Sequence, residues 1–323
     1  MNYAFARKEP DSSPVCDLLP HSFFTLPDGN RLRYAQFTPS PVIKGTILVA
    51  PGGREFIEKK HAELGKPLLD RGYRVIVYEP RGQGLSSRPL QGEARQRMHI
   101  DDFETHLNDL RAFYAGVVSP GLVKPLIVHG HSLGAHVLLR WLAEDKPHVS
   151  AAFMTAPMAA FSGMAAQMLT YGLGWISAHL LDHDTHYAPM QHDFGGNDLV
   201  FENNPLTHDE ARFRLMENYF AAHPDLVTGG VTWGWMLAAL RSMSKANTWP
   251  YLAAVDIPVL CLTGDQDVVT PYAENLPYLN MLPRVRTRIV TGARHDLLSE
   301  TDDITAGAWG QISDFLSSLT RDR

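Results

Sequence analysis

Two periods of apolar residues alternate along the chain. Short runs rich in Val, Ile, Leu and aromatic residues occur at 23–26, 32–37, 46–50, 73–78, 126–128, 149–156, 258–262 and 287–290, and their length predicts strands. Helical spacing separates several of them. Phe103, Leu107, Leu110 and Tyr114 share one face, with Asp101 and Glu104 placed to cap its start. Leu133, Val137, Leu138, Trp141 and Leu142 share another. Thr270-Pro271 opens a further helix, and Ile304, Ala308, Ile312, Phe315 and Leu319 form a stripe near the C-terminus. Strands alternating with helices predict an α/β fold with a mainly parallel central sheet. The first two runs flank Asp28-Gly29-Asn30, turn chemistry that joins an antiparallel pair.

The alternation stops at Met158 and resumes after Ala246. A connection that long does not fit an ordinary βα repeat. Residues 158–246 are therefore read as a helical cap, or lid, inserted into a core formed by 1–157 and 247–323. No Asp, Glu, Lys or Arg occurs between Lys146 and Asp182, a length that could span a bilayer. Pro157, Gly163, Gly172 and Gly174 interrupt it. The expectation is a buried strand at 149–156, followed by an apolar helix that packs in the cap or rests in the plane of a membrane interface.

Composition narrows the class. A chain of 323 residues that is 45% hydrophobic can bury a substantial core. Its net charge of −6, with no basic run, argues against a nucleic-acid surface. Residues 1–14 are polar and lack the apolar stretch of a secretion signal. Cys16 and Cys261 are the two cysteines, the second in an apolar run where a thiol serves as a small core residue. The expected location is cytoplasmic, with peripheral contact at the inner face of the membrane as a further possibility.

Gly130-His131-Ser132-Leu133-Gly134 sits between a predicted strand and a predicted helix. A serine hydroxyl is a poor nucleophile and has to be presented on a tight turn where a base reaches it; flanking glycines permit that turn. Ser132 is therefore the candidate nucleophile. An acid and a base should follow in that chain order. His295 stands in a strand-end loop, Thr291-Gly292-Ala293-Arg294-His295, and is the candidate base. Gly264-Asp265-Gln266-Asp267 offers two carboxylates, of which Asp267, last before the apolar pair Val268-Val269, is preferred. The Leu133 N–H, at a helix start, is one oxyanion donor. Gly53, in the Pro51-Gly52-Gly53 loop after the 46–50 run, is the candidate for the second.

These residues resemble the α/β-hydrolase superfamily, and within it the monoacylglycerol lipase and bacterial lysophospholipase group. The resemblance rests on 130–134, on Gly-Asp-Gln-Asp at 264–267 and on Gly-Ala-Arg-His-Asp at 292–296. Asn204-Pro205-Leu206-Thr207-His208 and Gly229-Gly230-Val231-Thr232-Trp233-Gly234-Trp235 look more specifically like the lysophospholipase branch. Pro51 stands where relatives usually have His, and Glu79 where many have Asp.

The resemblance implies an α/β-hydrolase fold with a helical cap. It also implies a serine carboxylic-ester hydrolase acting on a lysophospholipid or monoacylglycerol without a cofactor. Large flexible and aromatic cap residues, among them Met164, Met168, Trp175, Trp233 and Trp235, suit an acyl chain. Their alternative role is the cap's own core. A cap of this kind implies a lipid or small ester as partner, with transient membrane-surface contact. Another acyl bond (amide, thioester or lactone), transfer to an alcohol, or a non-catalytic ligand-binding role on the same fold are the competing readings. Dehalogenase and epoxide hydrolase chemistry is disfavoured, since those enzymes carry a carboxylate where Ser132 stands. His179, His183, His186 and His192, with Asp182, Asp184 and Asp193, match no metal signature. His183 and His186 would share a helix face, and no metal is expected.

Overall fold

A computed structural model describes residues 16–161 and 183–321 of the chain. Eight strands form one sheet: β1 (Ser22–Thr25), β2 (Arg31–Phe37), β3 (Gly45–Ala50), β4 (Tyr73–Tyr78), β5 (Leu126–His131), β6 (Ala151–Thr155), β7 (Val259–Gly264) and β8 (Val285–Val290). Their order is β1-β2-β4-β3-β5-β6-β7-β8. β2 is antiparallel to both β1 and β4, and every later pairing is parallel. Each of the eight apolar runs thus becomes a strand. The turn between β1 and β2 places Gly29 at φ 85°, while Asp28 Oδ1 accepts from Asn30 N at 3.0 Å.

β3, β5, β6 and β7 are buried at every position, because helices cover both faces of the sheet. Alternate residues of β3 divide between the two cores. Leu48 and Ala50 join Phe103, Leu107, Leu138 and Trp141; Ile47 and Val49 join Ile57, Leu64, Leu68, Ile312 and Phe315. The first core is covered by α3 (Phe103–Phe113) and α4 (Leu133–Asp145). Against the second lie α1 (Ile57–Lys60), α2 (Lys66–Asp70) and the C-terminal helix (Asp302–Arg321). Cys261 is buried in the first core, and its thiol is pushed up to about 12 by burial, which leaves it inert as a nucleophile.

The cap of α3 differs from expectation by one residue. Asp102, not Asp101, is the N-cap, its carboxylate accepting from Glu104 N at 2.8 Å. Asp101 instead pairs with His99 at 3.1 Å. His183 and His186 lie in a turn rather than on a helix, with ring centroids 4.6 Å apart. Between β6 and β7 the described residues hold α5 (Glu210–Ala222), α6 (Trp233–Ala246) and the short α7 (Trp249–Leu252), and no strand of the sheet. Among the described residues no helix is long and apolar enough to cross a membrane. Met164, Met168, Trp175, His179 and Asp182 lie outside the described residues.

A buried charged triad braces the antiparallel end of the sheet against α1. Arg33 on β2 reaches Glu58 at 2.5 Å and Glu79 at 2.8 Å, all three side chains being inaccessible to solvent. Glu79, directly after β4, also accepts from Ile57 N at 3.1 Å and from Leu85 N at 2.7 Å. It therefore fixes where α1 begins. Glu79→Ala leaves Arg33 buried and half-paired and is expected to cost about 3 kcal/mol. Urea unfolding should show this as a lower midpoint at unchanged m-value.

Candidate active site

β5 ends at His131 and α4 begins at Leu133, so Ser132 alone makes the turn between them. Its backbone sits at φ 48°, ψ −114°, a region costly for any residue with a Cβ and one that recurs at functional sites. Close packing holds it there. A Cβ on Gly130 would lie 2.5 Å from Ala135 Cα, and one on Gly134 2.1 Å from Ala50 O. Helix α4 can thus press onto β5 and β3 only because both positions are glycine. Ser132 N donates to Thr155 O at 3.1 Å, and its carbonyl accepts from Met158 N at 3.2 Å, tying the turn to β6.

Asp267 and His295 are brought together from loops after β7 and β8. His295 Nδ1 and Asp267 Oδ2 are 2.9 Å apart, and both residues are buried. The remaining acceptor capacity of Asp267 is filled by its own loop: Oδ1 accepts from Val269 N and Thr270 N at 2.8 and 2.9 Å, and Oδ2 from Thr270 Oγ1 at 2.9 Å. Burial disfavours the carboxylate, but the hydrogen bond and charge of His295 and the Thr270 donors outweigh it and lower its pKa. Burial likewise disfavours the imidazolium of His295. The Asp267 hydrogen bond and charge, with Asp296 and Glu55 beyond, outweigh that and raise its pKa above the ordinary histidine value. Asp265 serves the backbone instead. It is exposed and accepts from Gly292 N at 2.7 Å, closing the turn before the histidine loop. Ser132 Oγ makes no hydrogen bond to His295 among the described residues; such bonds are often long until substrate closes the site.

Leu133 opens α4, whose first N–H groups have no intrahelical acceptor. Across from it, Gly52 N donates to Glu55 Oε2 at 2.5 Å. That bond occupies the Gly52 N–H. Gly52 itself has to lack a side chain, since a Cβ would lie 2.7 Å from His131 Cδ2 and 3.3 Å from Ser132 Cβ.

Each of the two distinctive segments beyond β6 touches one of these loops. Pro205 O and Leu206 O accept from His295 N and Asp296 N at 3.4 and 2.9 Å. Arg294 donates to the carbonyls of Asn204 and Thr207 at 2.9 and 3.0 Å. Glu300 takes Arg294 N and His208 N at 2.8 and 2.9 Å, so it joins the histidine loop to the 204–208 segment from the side. On the oxyanion side, Gly230 O accepts from Met98 N at 2.9 Å and Gly229 O from Arg54 Nε at 3.0 Å. The Met98 side chain packs over Gly53. Trp235 is buried against Phe103, ring centroids 5.4 Å apart, inside the main core, whereas Trp233 is half-buried at the start of α6.

Residues 41–302 match the Hydrolase_4 family, described as serine aminopeptidase, S33. The chain belongs to this hydrolase family. Lysophospholipase L2 of Escherichia coli K12 is 27% identical over 308 residues, covering 91% of this chain and 86% of that protein. Human monoglyceride lipase is 23% identical, covering 97% and 95%. A soluble variant of monoglyceride lipase from Saccharomyces cerevisiae, solved with a substrate analogue, superposes with a TM-score of 0.73 at 18% identity, over 94% of this chain and 95% of that one. The α/β-hydrolase fold expected from the motifs is the fold observed.

Residues around the motifs escaped the sequence reading. Thr270, three positions after Asp267, carried a local signal, because a carboxylate followed by free backbone N–H groups folds into such a turn. The pairing of Asp296 with Lys59 and of Glu300 with His208 carried none: these partners lie 237 and 92 positions off in sequence.

Two outcomes follow for this hydrolase fold. Asp267→Asn should lower kcat by about 10⁴, the scale of a misoriented imidazole, while Asp265→Asn, at an exposed turn, should lower it less than about tenfold by the same measure. Steady-state kinetics of the two variants checks this. His295 has to be neutral to act as base, and its pKa is raised. Activity should therefore be full at alkaline pH and be lost as pH falls through an apparent pKa above about 6.5 in a kcat/KM profile.

Proposed function

We propose that the protein is a serine hydrolase that cleaves the acyl ester of a lipid-like substrate, a lysophospholipid or a monoacylglycerol. The observation that carries this reading is a strained Ser132 turn in the same chain as a buried Asp267–His295 pair 2.9 Å apart. Relatives named lysophospholipase L2 and monoglyceride lipase support the lipid ester over other acyl groups, since they align along more than nine-tenths of the chain.

In this reading the Nδ1–H of His295 donates to Asp267, so Nε2 is the free base. It takes the proton of Ser132 Oγ as that oxygen attacks the ester carbonyl. The N–H groups of Leu133 and Gly53 stabilise the tetrahedral oxyanion. Collapse returns the proton from Nε2 to the leaving alkoxide, and the acyl group stays on Ser132. Water, deprotonated by the same nitrogen, then releases the acid. Asp267 keeps its charge throughout, which its Thr270 donors favour. No step calls for a cofactor.

Residues 158–246 are proposed to act as a cap over this site, with Trp233 among its acyl-facing side chains. Substrates of this class reside in membranes and micelles, and the run from Met158 to Leu181 contains no charged residue. We assign transient membrane contact to it. With a net charge of −6 the adhesion is hydrophobic rather than electrostatic.

The family's description as an aminopeptidase favours one second reading, hydrolysis of an amide. Ser132→Ala is expected to abolish both hydrolysis and labelling by an alkyl fluorophosphonate without unfolding the protein. A panel of lysophospholipids, monoacylglycerols, short p-nitrophenyl esters and aminoacyl p-nitroanilides should give the highest kcat/KM on long-chain monoacyl lipids and the lowest on anilides. Labelling that persists at another residue would overturn the nucleophile, and preference for the anilides would overturn the ester.

A further inference from the structure

A second buried cluster of charges lies beneath the site and takes no part in the acyl transfer just described. Lys59, on α1 four residues after Glu55, places its ammonium 3.0 Å from Glu55 Oε1, 3.5 Å from Glu63 Oε1 and 2.6 Å from Asp296 Oδ2. Lys60 pairs with Glu55 and, at 2.5 Å, with Glu63. His131 Nε2 is 3.3 Å from Asp296 Oδ1. Ionised groups this deeply buried are expensive unless they are paired and well placed.

Three members of the cluster adjoin the catalytic loops directly. Glu55 accepts from Gly52 N in the oxyanion loop, His131 precedes Ser132, and Asp296 follows His295. Lys60 reaches only Glu55 and Glu63 among the described ion pairs. Lys59 is the lysine that spans from Glu55 to Asp296, at shorter distances than His131 Nε2, which lies 4.0 and 3.3 Å from the same two carboxylates. Sequence spacing offers no hint of this, since Lys59 and Asp296 are 237 positions apart.

We propose that Lys59 is a positioning residue: by holding Glu55 and Asp296 on one ammonium it fixes the oxyanion loop against the histidine loop and offsets the negative charge beneath His295. The proposal rests on the assignment of Ser132 and His295 above. Burial would push the Lys59 ammonium down, but Asp296, Glu55 and Glu63 hold its pKa well above the ordinary lysine value, and it stays charged. Burial would push the Asp296 carboxyl up, but Lys59, His131 and His295 hold it well below the usual carboxylate range. The ionisable side chains facing His295 are Asp267, Asp296, Glu55 and His131. Those facing Lys59 are Glu55, Glu63, Asp296 and Lys60. Removing the Lys59 charge therefore takes from Asp296 its closest cation beside the imidazole, while Glu55 keeps Lys60.

The test uses a short soluble ester and the rate of fluorophosphonate labelling at Ser132. Lys59→Met is expected to lower kcat and the labelling rate by about tenfold or more with KM within about twofold, the signature of a lost transition-state arrangement. The acid limb of kcat/KM should move to higher pH by about half a unit, because the Asp296 carboxylate, stripped of its lysine, favours imidazolium. Lys59→Arg should restore most of the rate. Asp296→Asn should move the same limb to lower pH, a reversal of sign that simple loosening of the fold does not produce. If Lys59→Met does not fold, the double variant Lys59→Met/Asp296→Asn, which strands no partner of the closest pair, replaces it and should show the same loss of kcat. Wild-type kcat, labelling rate and acid limb in Lys59→Met, or wild-type kcat in the double variant, would overturn the role of Lys59. Failure of the wild-type protein to label at Ser132 would overturn the nucleophile, and this inference with it.

Discussion

Ser132 is held in a backbone conformation that costs about 1–3 kcal/mol for a residue with a side chain, and much of the surrounding architecture serves to keep it there. The glycines at 130 and 134 let α4 close on β5 and β3 within distances no Cβ would allow. Parallel pairing of β5 with β6 brings Thr155 and Met158 to the turn, where they bind its N–H and carbonyl. The same closeness reaches Gly52, whose missing side chain lets the loop after β3 lie against His131 and Ser132. A strained turn persists only when its neighbours over-determine it, and here three strands and a helix do so.

Around that turn, charge is buried in two layers. Arg33, Glu58 and Glu79 lock β2 and β4 to the start of α1, and the Lys59 cluster continues from the same helix to the histidine loop. Apolar packing alone is non-directional and cannot set the separation of two loops to a fraction of an ångström. Paired charges with defined hydrogen-bond geometry can, at the price of desolvation. Glu58, Lys59 and Lys60 concentrate these pairs on the first turn of the helical stretch that runs on from α1 to Asp70, behind the loop after β3.

The chain between β6 and β7 contributes more than cover. Its Asn204–His208 stretch lies on the histidine loop through backbone hydrogen bonds, and its Gly229–Trp235 stretch reaches the loop after β3 through the Arg54 side chain, which donates to Gly229 O. Movement of this segment would therefore be felt at both loops.

Strand positions and the tight turn at Ser132 were legible in the sequence because each is a local matter, and Asp267, preferred there over Asp265, is the carboxylate that pairs with His295. Apolar periodicity follows from which face of an element is buried, and a Gly-x-Ser-x-Gly turn or a carboxylate followed by its own N–H donors is complete within a few residues. The α3 cap was displaced by one position because adjacent aspartates carry the same propensity, and only the His99 contact distinguishes Asp101 from Asp102. Trp235 could equally line a ligand site or a core, and its packing against Phe103 was decided by how α6 crosses α3. The burial of Lys59, Glu55 and Asp296 was beyond reach of the sequence altogether. Ammonium and carboxylate groups are normally at the surface, and nothing in residues 55–63 says that a residue from the far end of the chain will neutralise them. Local chemistry determined which groups are candidates for reaction, and the long-range meeting of loops after β3, β5, β7 and β8 decided their spacing and charge, because those depend on contacts between residues hundreds of positions apart.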